Sequence, residues 1–203
     1  MFTIPIAIVS RFGHLSPTSA ADVREELGDA VDYVLDGGDC PVGIESTIVA
    51  FRNAQPVVLR PGMITAQQIA DTLQAEVAAP VASSPRVSGT LPSHYAPRTP
   101  LQTAHPDEVE AAVRRESPRG PVAVLARRSR PHNTRAALWQ VAPQSAGEYA
   151  HHLYGLLRRM DSAGCHLIIA EGVPDLPEWA AIRDRLTRAS AVDVEEAQVA
   201  TGT

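Results

Sequence analysis

The sequence predicts an α/β fold, and three observations carry that prediction. Short apolar runs of strand length alternate with stretches of helical periodicity along most of the 203 residues. A content of 44% apolar and 20% charged residues supports a buried core and excludes wholesale disorder. Between Ala79 and Pro100, five prolines (Pro80, Pro85, Pro92, Pro97 and Pro100) stand among Ser, Gly and Thr, forbidding a helix and marking an extended linker. The expected organisation is a first domain over residues 1–79, a linker over 80–100 and a second domain over 101–203.

Taken in order, Ile4–Val9 reads as a short strand. A helix follows from Ser19 to Leu27, with Thr18 or Ser19 as cap and Asp22, Glu25 and Glu26 in the turns where the helix dipole favours acids. Strands are expected at Tyr33–Asp36, Ser46–Phe51 and Pro56–Arg60, then a helix at Thr65–Leu73 capped by Thr65, with Ile69 and Leu73 on one face. Beyond the linker the alternation is cleaner. Asp107–Arg115 is helical, Pro121–Ala126 a buried-type strand and Ala136–Val141 a weaker one. Ser145–Asp161 is a helix with a stripe of Tyr149, Leu153, Leu156, Leu157 and Met160. His166–Ala170 is a strand and Glu178–Arg188 the last helix. Largely parallel strands follow from this pattern.

Several functions are excluded or disfavoured. No apolar run approaches the ~20 residues of a membrane helix, and the start of the chain reads as a strand, not a signal peptide, so a cytoplasmic protein with no membrane partner is expected. Cys40 and Cys165 lie far apart without metal-site spacing, so neither a disulfide framework nor a bound metal site is implied. All 18 basic residues are arginine. Without lysine there is no Schiff-base chemistry and no phosphate loop of the lysine type. The first 79 residues hold ten acids against four arginines, which argues against nucleic-acid binding there on charge alone.

Four clusters could carry chemistry. Arg11-Phe12-Gly13-His14-Leu15-Ser16-Pro17-Thr18 joins a strand to a helix, where hydroxyls and helix amides suit a phosphate or carboxylate; it also serves as a plain helix cap. Asp36-Gly37-Gly38 and Gly43-Ile44-Glu45-Ser46-Thr47 form turns feeding a strand. Arg60, before Pro61-Gly62, is either a solvated strand end or a bidentate anion ligand. Ser93-His94-Tyr95-Ala96-Pro97 plants polar and aromatic groups inside a proline-rich linker that, as a mere spacer, has no need of them.

In this order and spacing the clusters resemble the threonylcarbamoyl-AMP synthases of the YrdC-like family, in their longer form with an accessory domain after a linker. Tyr149 to Asp161, Ile168 to Gly172 and Ala181 to Leu186 are similar to that accessory domain. The resemblance implies a partial YrdC-like twisted α/β domain, a proline-rich linker and a small Rossmann-like α/β domain. It also implies an activity: condensation of L-threonine, bicarbonate and ATP into threonylcarbamoyl-AMP and pyrophosphate, toward N6-threonylcarbamoyladenosine at position 37 of tRNA. ATP with Mg²⁺ is then the substrate complex, and tRNA or the tRNA-threonylcarbamoyl transferase machinery a further partner. Ser16, Arg60, His94 and Tyr95 match family positions that contact ATP, the last two in a linker motif closing over the site; Ser46 matches the threonine-binding serine. No residue is assigned as a catalytic acid or base. His151, His152, Cys40 and Cys165 have no family role and are assigned to a helix face and core packing.

The family also carries a lysine- and arginine-rich nucleotide site ahead of the Arg11 loop, and Pro-Ser-Ala-Asn where this chain reads Ile8-Val9-Ser10. The chain is therefore expected to correspond to the C-terminal portion of such an enzyme and to fall short of turnover alone. The alternative is a non-catalytic nucleotide- or RNA-binding remnant, or a fragment without function.

Overall fold

The computed structural model of the protein describes residues 13–91 and 93–191. The strand expected at Ile4–Val9 lies outside them, as do Arg11 and Phe12.

Local signals set the first elements. Ser19 caps α1 (Ala20–Leu27): its hydroxyl accepts from the Asp22 amide at 3.1 Å, and the Asp22 carboxylate accepts from the Ser19 amide, closing a capping box. Thr65 and Gln68 repeat the device at α2 (Ala66–Leu73). Between these helices, β1 (Ile48–Arg52) and β2 (Gln55–Arg60) pair as an antiparallel hairpin. Its two turn residues, Asn53 and Ala54, both have left-handed backbones (φ 49° and 66°), as a type I′ turn requires.

Tyr33–Asp36 is not a strand, which corrects the expectation from residue type. The segment pairs with nothing among the described residues, and Tyr33 and Leu35 are 91% and 79% exposed. Aromatic and branched residues favour a strand only where a neighbouring edge and a buried face complete it.

Residues 79–91 and 93–100 contain no helix or strand, but they are tied down. The Ala78 amide donates to the Pro56 carbonyl and the Ala96 amide to that of Gly13, both at 2.9 Å. The Thr99 amide reaches the Asp161 carboxylate at 2.6 Å.

The remainder is a parallel sheet in the order β3-β6-β4-β5, with β3 Leu101–Ala104, β4 Val122–Ala126, β5 Leu138–Val141 and β6 Leu167–Glu171. On one face α3 (Val109–Glu116) packs Val109, Ala112 and Val113 against Val122, Val124 and Ile169. On the other, α4 (Ala146–Asp161) and α5 (Ala180–Ala189) cover Ala123, Leu125, Ile168 and Ala170 with Leu153, Leu157, Met160, Ile182 and Leu186. Covered on both faces, β4 is buried at all five positions, which is why it reads as one apolar run. The expected α4 stripe is buried throughout. Sequence reading missed β3: Leu-Gln-Thr-Ala carries one strongly apolar residue, and a strand that pairs only with β6 among the described residues needs no more. Helices α3 and α5 start later than expected, after 3₁₀ turns at Pro106–Glu108 and Pro177–Trp179.

The larger apolar cluster extends past the sheet. Leu15, Ile44 and Tyr95 belong to it, so residues before the hairpin and the Tyr95 ring are buried against α4 and α5. Gly43 sits at that junction with φ +80°, and a Cβ there would overlap the His151 backbone carbonyl on α4. Cys40 is exposed and so takes no part in core packing.

Candidate functional site

Ser16, Ser46, Arg60, His94 and Tyr95 all line one cavity of about 470 Å³. Arg60, at the end of β2, is 7% exposed and is not a solvated strand end. Its Nε donates to the Ser46 carbonyl at 3.1 Å, its Nη1 to the Ser88 carbonyl at 3.0 Å and its Nη2 to Ser46 Oγ at 3.4 Å. The guanidinium thereby clamps the start of the hairpin to the segment before His94. Gly89 follows, with φ +78°, and a Cβ there would overlap the Tyr95 hydroxyl.

His94 and Tyr95 are both buried, their ring centroids 4.1 Å apart. Tyr95 holds a left-handed backbone (φ 61°). That conformation is uncommon for a bulky residue and persists only where its surroundings over-determine it. Here the surroundings are the Arg185 guanidinium, 4.8 Å from the Tyr95 ring centroid, and the Tyr154 ring stacked at 5.9 Å. The His94 amide donates to the Arg188 carbonyl at 3.3 Å, and Arg188 Nη1 donates to the Leu91 carbonyl.

Glu45 is the hub of the cavity. Ser16 Oγ donates to its Oε1; Tyr154 OH and Arg185 Nε each donate to its Oε2 at 2.8 Å. Arg185, 1% exposed, also bonds Asp184 Oδ2 at 2.6 Å, and Arg188 bonds Asp184 Oδ1 at 2.9 Å. A second polar seam lies behind: Arg158 of α4 donates to the Leu15 carbonyl at 2.7 Å and to Glu26 of α1 at 2.8 Å.

These contacts set the protonation states. Burial alone would raise the Glu45 carboxyl, but the Ser16 hydroxyl and the Arg185 charge outweigh it and hold the group below the ordinary glutamate value. Burial lowers His94, and Arg185, Arg188 and Arg60 reinforce this against the opposing pull of Glu45, so the imidazole favours its neutral form. Burial and the Glu45 charge raise both Tyr95 and Tyr154, which therefore keep their hydroxyl protons. With Oε1 accepting from Ser16 and Oε2 from Tyr154 and Arg185, the Glu45 carboxylate is engaged in the protein's own network. Among the described residues no group of three or more His, Cys, Asp or Glu side chains could hold a metal ion. What the cavity offers is hydroxyls, amides and arginine charge, a set suited to binding and orienting anions.

Sequence reading passed over Glu45, Tyr154 and Arg185. One signal for Arg185 was present: it falls on the buried stripe of α5 with Ala181, Ile182, Leu186 and Ala189, where an arginine must be paired. Glu45 stood inside a flagged motif without a role. Tyr154 carried no local signal.

Fold and cavity together define an α/β protein with one cavity lined by residues from before and within the hairpin, by Tyr154 of α4, and by Ser88, His94 and Tyr95 from the segment between. Residues 64–191 match the family model described as threonylcarbamoyl-AMP synthase, C-terminal domain, and residues 2–62 match one described as telomere recombination. The chain belongs to the threonylcarbamoyl-AMP synthase family. It is 30% identical over 203 residues to the threonylcarbamoyl-AMP synthase of Bacillus subtilis, covering 92% of this chain and 57% of that one. With the Pyrococcus abyssi protein of that name it shares 28% over 193 residues, covering 88% of this chain and 55% of the relative. The crystal structure of P. abyssi Sua5 complexed with L-threonine superposes with a TM-score of 0.74 at 26% identity, over 88% of this chain and 55% of that chain. A variant of that protein with a histidine–tyrosine pair replaced by alanines superposes at 0.73 with 25% identity. The chain spans about half the length of the curated relatives it matches. No helix among the described residues is long and apolar enough to cross a membrane.

Proposed function

We propose that this chain forms the threonine- and nucleotide-holding cleft of a threonylcarbamoyl-AMP synthase. The observation that carries the reading is the convergence of Ser16, Ser46, Arg60, His94 and Tyr95 on one cavity in a chain of that family. The reaction condenses L-threonine and bicarbonate to a carbamate with loss of water. A carbamate oxygen then attacks the α-phosphorus of ATP, a new P–O bond forms and pyrophosphate leaves. Little proton transfer is involved in the adenylyl step, so catalysis rests on holding two anions together and stabilising phosphate charge.

In this reading Ser46 binds threonine, and Ser16, Arg60, His94 and Tyr95 face the nucleotide. Neutral His94 and protonated Tyr95 donate hydrogen bonds without adding negative charge. Mg²⁺ arrives as part of the ATP complex, held by the triphosphate. Arg185 and Tyr154 act through Glu45, fixing the backbone immediately before Ser46. The product serves N6-threonylcarbamoyl transfer to tRNA adenosine by a separate transferase machinery, which makes the compartment of tRNA modification, the cytoplasm, its place of work.

The test is calorimetric titration of the chain with L-threonine, with and without ATP and Mg²⁺, alongside pyrophosphate release in bicarbonate. Saturable threonine binding that Ser46→Ala abolishes supports the reading. Absence of threonine binding by the folded chain overturns it.

A further inference from the structure

The carboxyl end of the parallel sheet carries a second crevice, remote from the Glu45 hub in role and lining. Strand β3 leads into α3 on one face, whereas β6 leads into α5 on the other. The two strands are neighbours, so the chain leaves them toward opposite sides and opens a cleft between their ends. Open α/β sheets take ligands at such a switch point. The cleft encloses about 550 Å³, with Ala104, Pro106, Val173 and Leu186 supplying apolar wall; of its charged lining, Arg183 is paired with Asp175 at 3.0 Å, which leaves Arg127 as the cation facing it without a close acid of the lining. That volume is in the range of small-molecule sites.

Beside it lies a polar cluster whose bonding is incomplete. Glu171, the last residue of β6, is 5% exposed. Arg127 Nε stands 3.9 Å from its Oε1 and Arg128 Nε 3.4 Å from its Oε2, and neither closes a hydrogen bond. The Tyr149 hydroxyl, in a residue 1% exposed, has no hydrogen-bond partner among the described residues either. Arg127 itself lies over the Trp179 ring, 5.1 Å from its centroid, and Tyr149 meets that ring edge-on. An oriented guanidinium that lines an apolar cleft with unused donors is built to pair an anion. A dinucleotide is disfavoured: the turn from Ala104 into α3 has no glycine, and Asp107, Glu108 and Glu110 repel a pyrophosphate there.

We propose that this crevice is a second binding site, taking a small organic anion whose apolar body lodges between the ends of β3 and β6 and whose phosphate or carboxylate pairs with Arg127. The site is independent of the cleft around Ser46.

The chain has two tryptophans, so two indole N–H resonances report on it, and Trp139→Phe assigns them. The Trp179 resonance of the full chain is followed against AMP, adenosine, inorganic phosphate and 3-phenylpropionate. The expected result is a saturable shift with AMP or phenylpropionate, whichever moves naming the head group, and much weaker responses to adenosine and inorganic phosphate. Arg127→Ala should weaken the response about tenfold or more, with Arg127→Lys between it and the wild type. Thr187→Phe, which fills the cleft from α5 without touching the Glu171 cluster, should abolish it and decides the matter if Arg127→Ala unfolds. No shift with either organic anion, a shift that survives Thr187→Phe, or adenosine binding as tightly as AMP would overturn the proposal.

Discussion

In the parallel sheet, β4 buries Val122 through Ala126 between helices on both faces, and the packing there is apolar. Around Glu45 the packing is instead polar: a half-buried carboxylate lies among two buried tyrosines and the buried Arg60 and Arg185 guanidiniums. Apolar contact is non-directional and tolerates small adjustments. A buried charge tolerates none, because a partner that moves away leaves it desolvated and unpaired. Two of the three side chains that bond the Glu45 carboxylate, Tyr154 and Arg185, come from 109 and 140 residues further along the chain, on α4 and α5. The sheet half of the molecule therefore holds the geometry of the cleft, and the cleft half depends on it.

Four measurements test the dependence of the cleft on the sheet. The largest effect is expected for Leu153→Ala, fully buried in α4 beneath both regions: a loss of about 3–4 kcal/mol in urea unfolding, with the cleft losing ligand affinity as well. A normal threonine affinity in that variant would show the two regions to be uncoupled. Arg185→Met should cost about 3 kcal/mol, and adding Glu45→Gln should recover part of it, since a neutral amide no longer needs the guanidinium. Additive losses in the double variant would remove Arg185 from the role given to it.

A third, smaller effect is a pH dependence. His94 titrates below its ordinary 6.5 in the folded chain, so below that pH the unfolded chain takes up a proton that the folded chain refuses. Its contribution is complete above pH 6.5 and is lost as the pH falls toward the folded value. Glu45 acts with the same sign lower down, complete above 4.5 and lost in acid. His94→Gln should flatten the stability profile between about pH 5 and about pH 7 and leave the Glu45 limb; an unchanged profile would contradict the placement of His94. The smallest effect belongs to the hairpin. Ala54→Gly relieves a left-handed alanine and should stabilise by up to about 1 kcal/mol without altering the cleft. A change in threonine binding would reveal coupling through β2 and Arg60.

Local chemistry alone determined much of this molecule. Ser19 and Thr65 announce their helices because a cap is a contact within four residues, and the α4 stripe and the β4 run follow from one-dimensional periodicity. The proline interval and its His94-Tyr95 pair were legible as residues out of place in a spacer. The remainder depended on contacts between distant parts of the chain. Tyr33–Asp36 has strand residues but no pairing neighbour among the described residues and is irregular; Leu101–Ala104 has few, yet becomes a strand because β6 lies beside it. Arg60 could be told from a solvated strand end only once the Ser46 and Ser88 carbonyls closed on it. Glu45, Tyr154 and Arg185 form one network only because α4 and α5 pack against the loop before β1. Capping and periodicity act between near neighbours, which a sequence displays, whereas pairing a buried charge requires partners whose proximity exists only after the chain has folded.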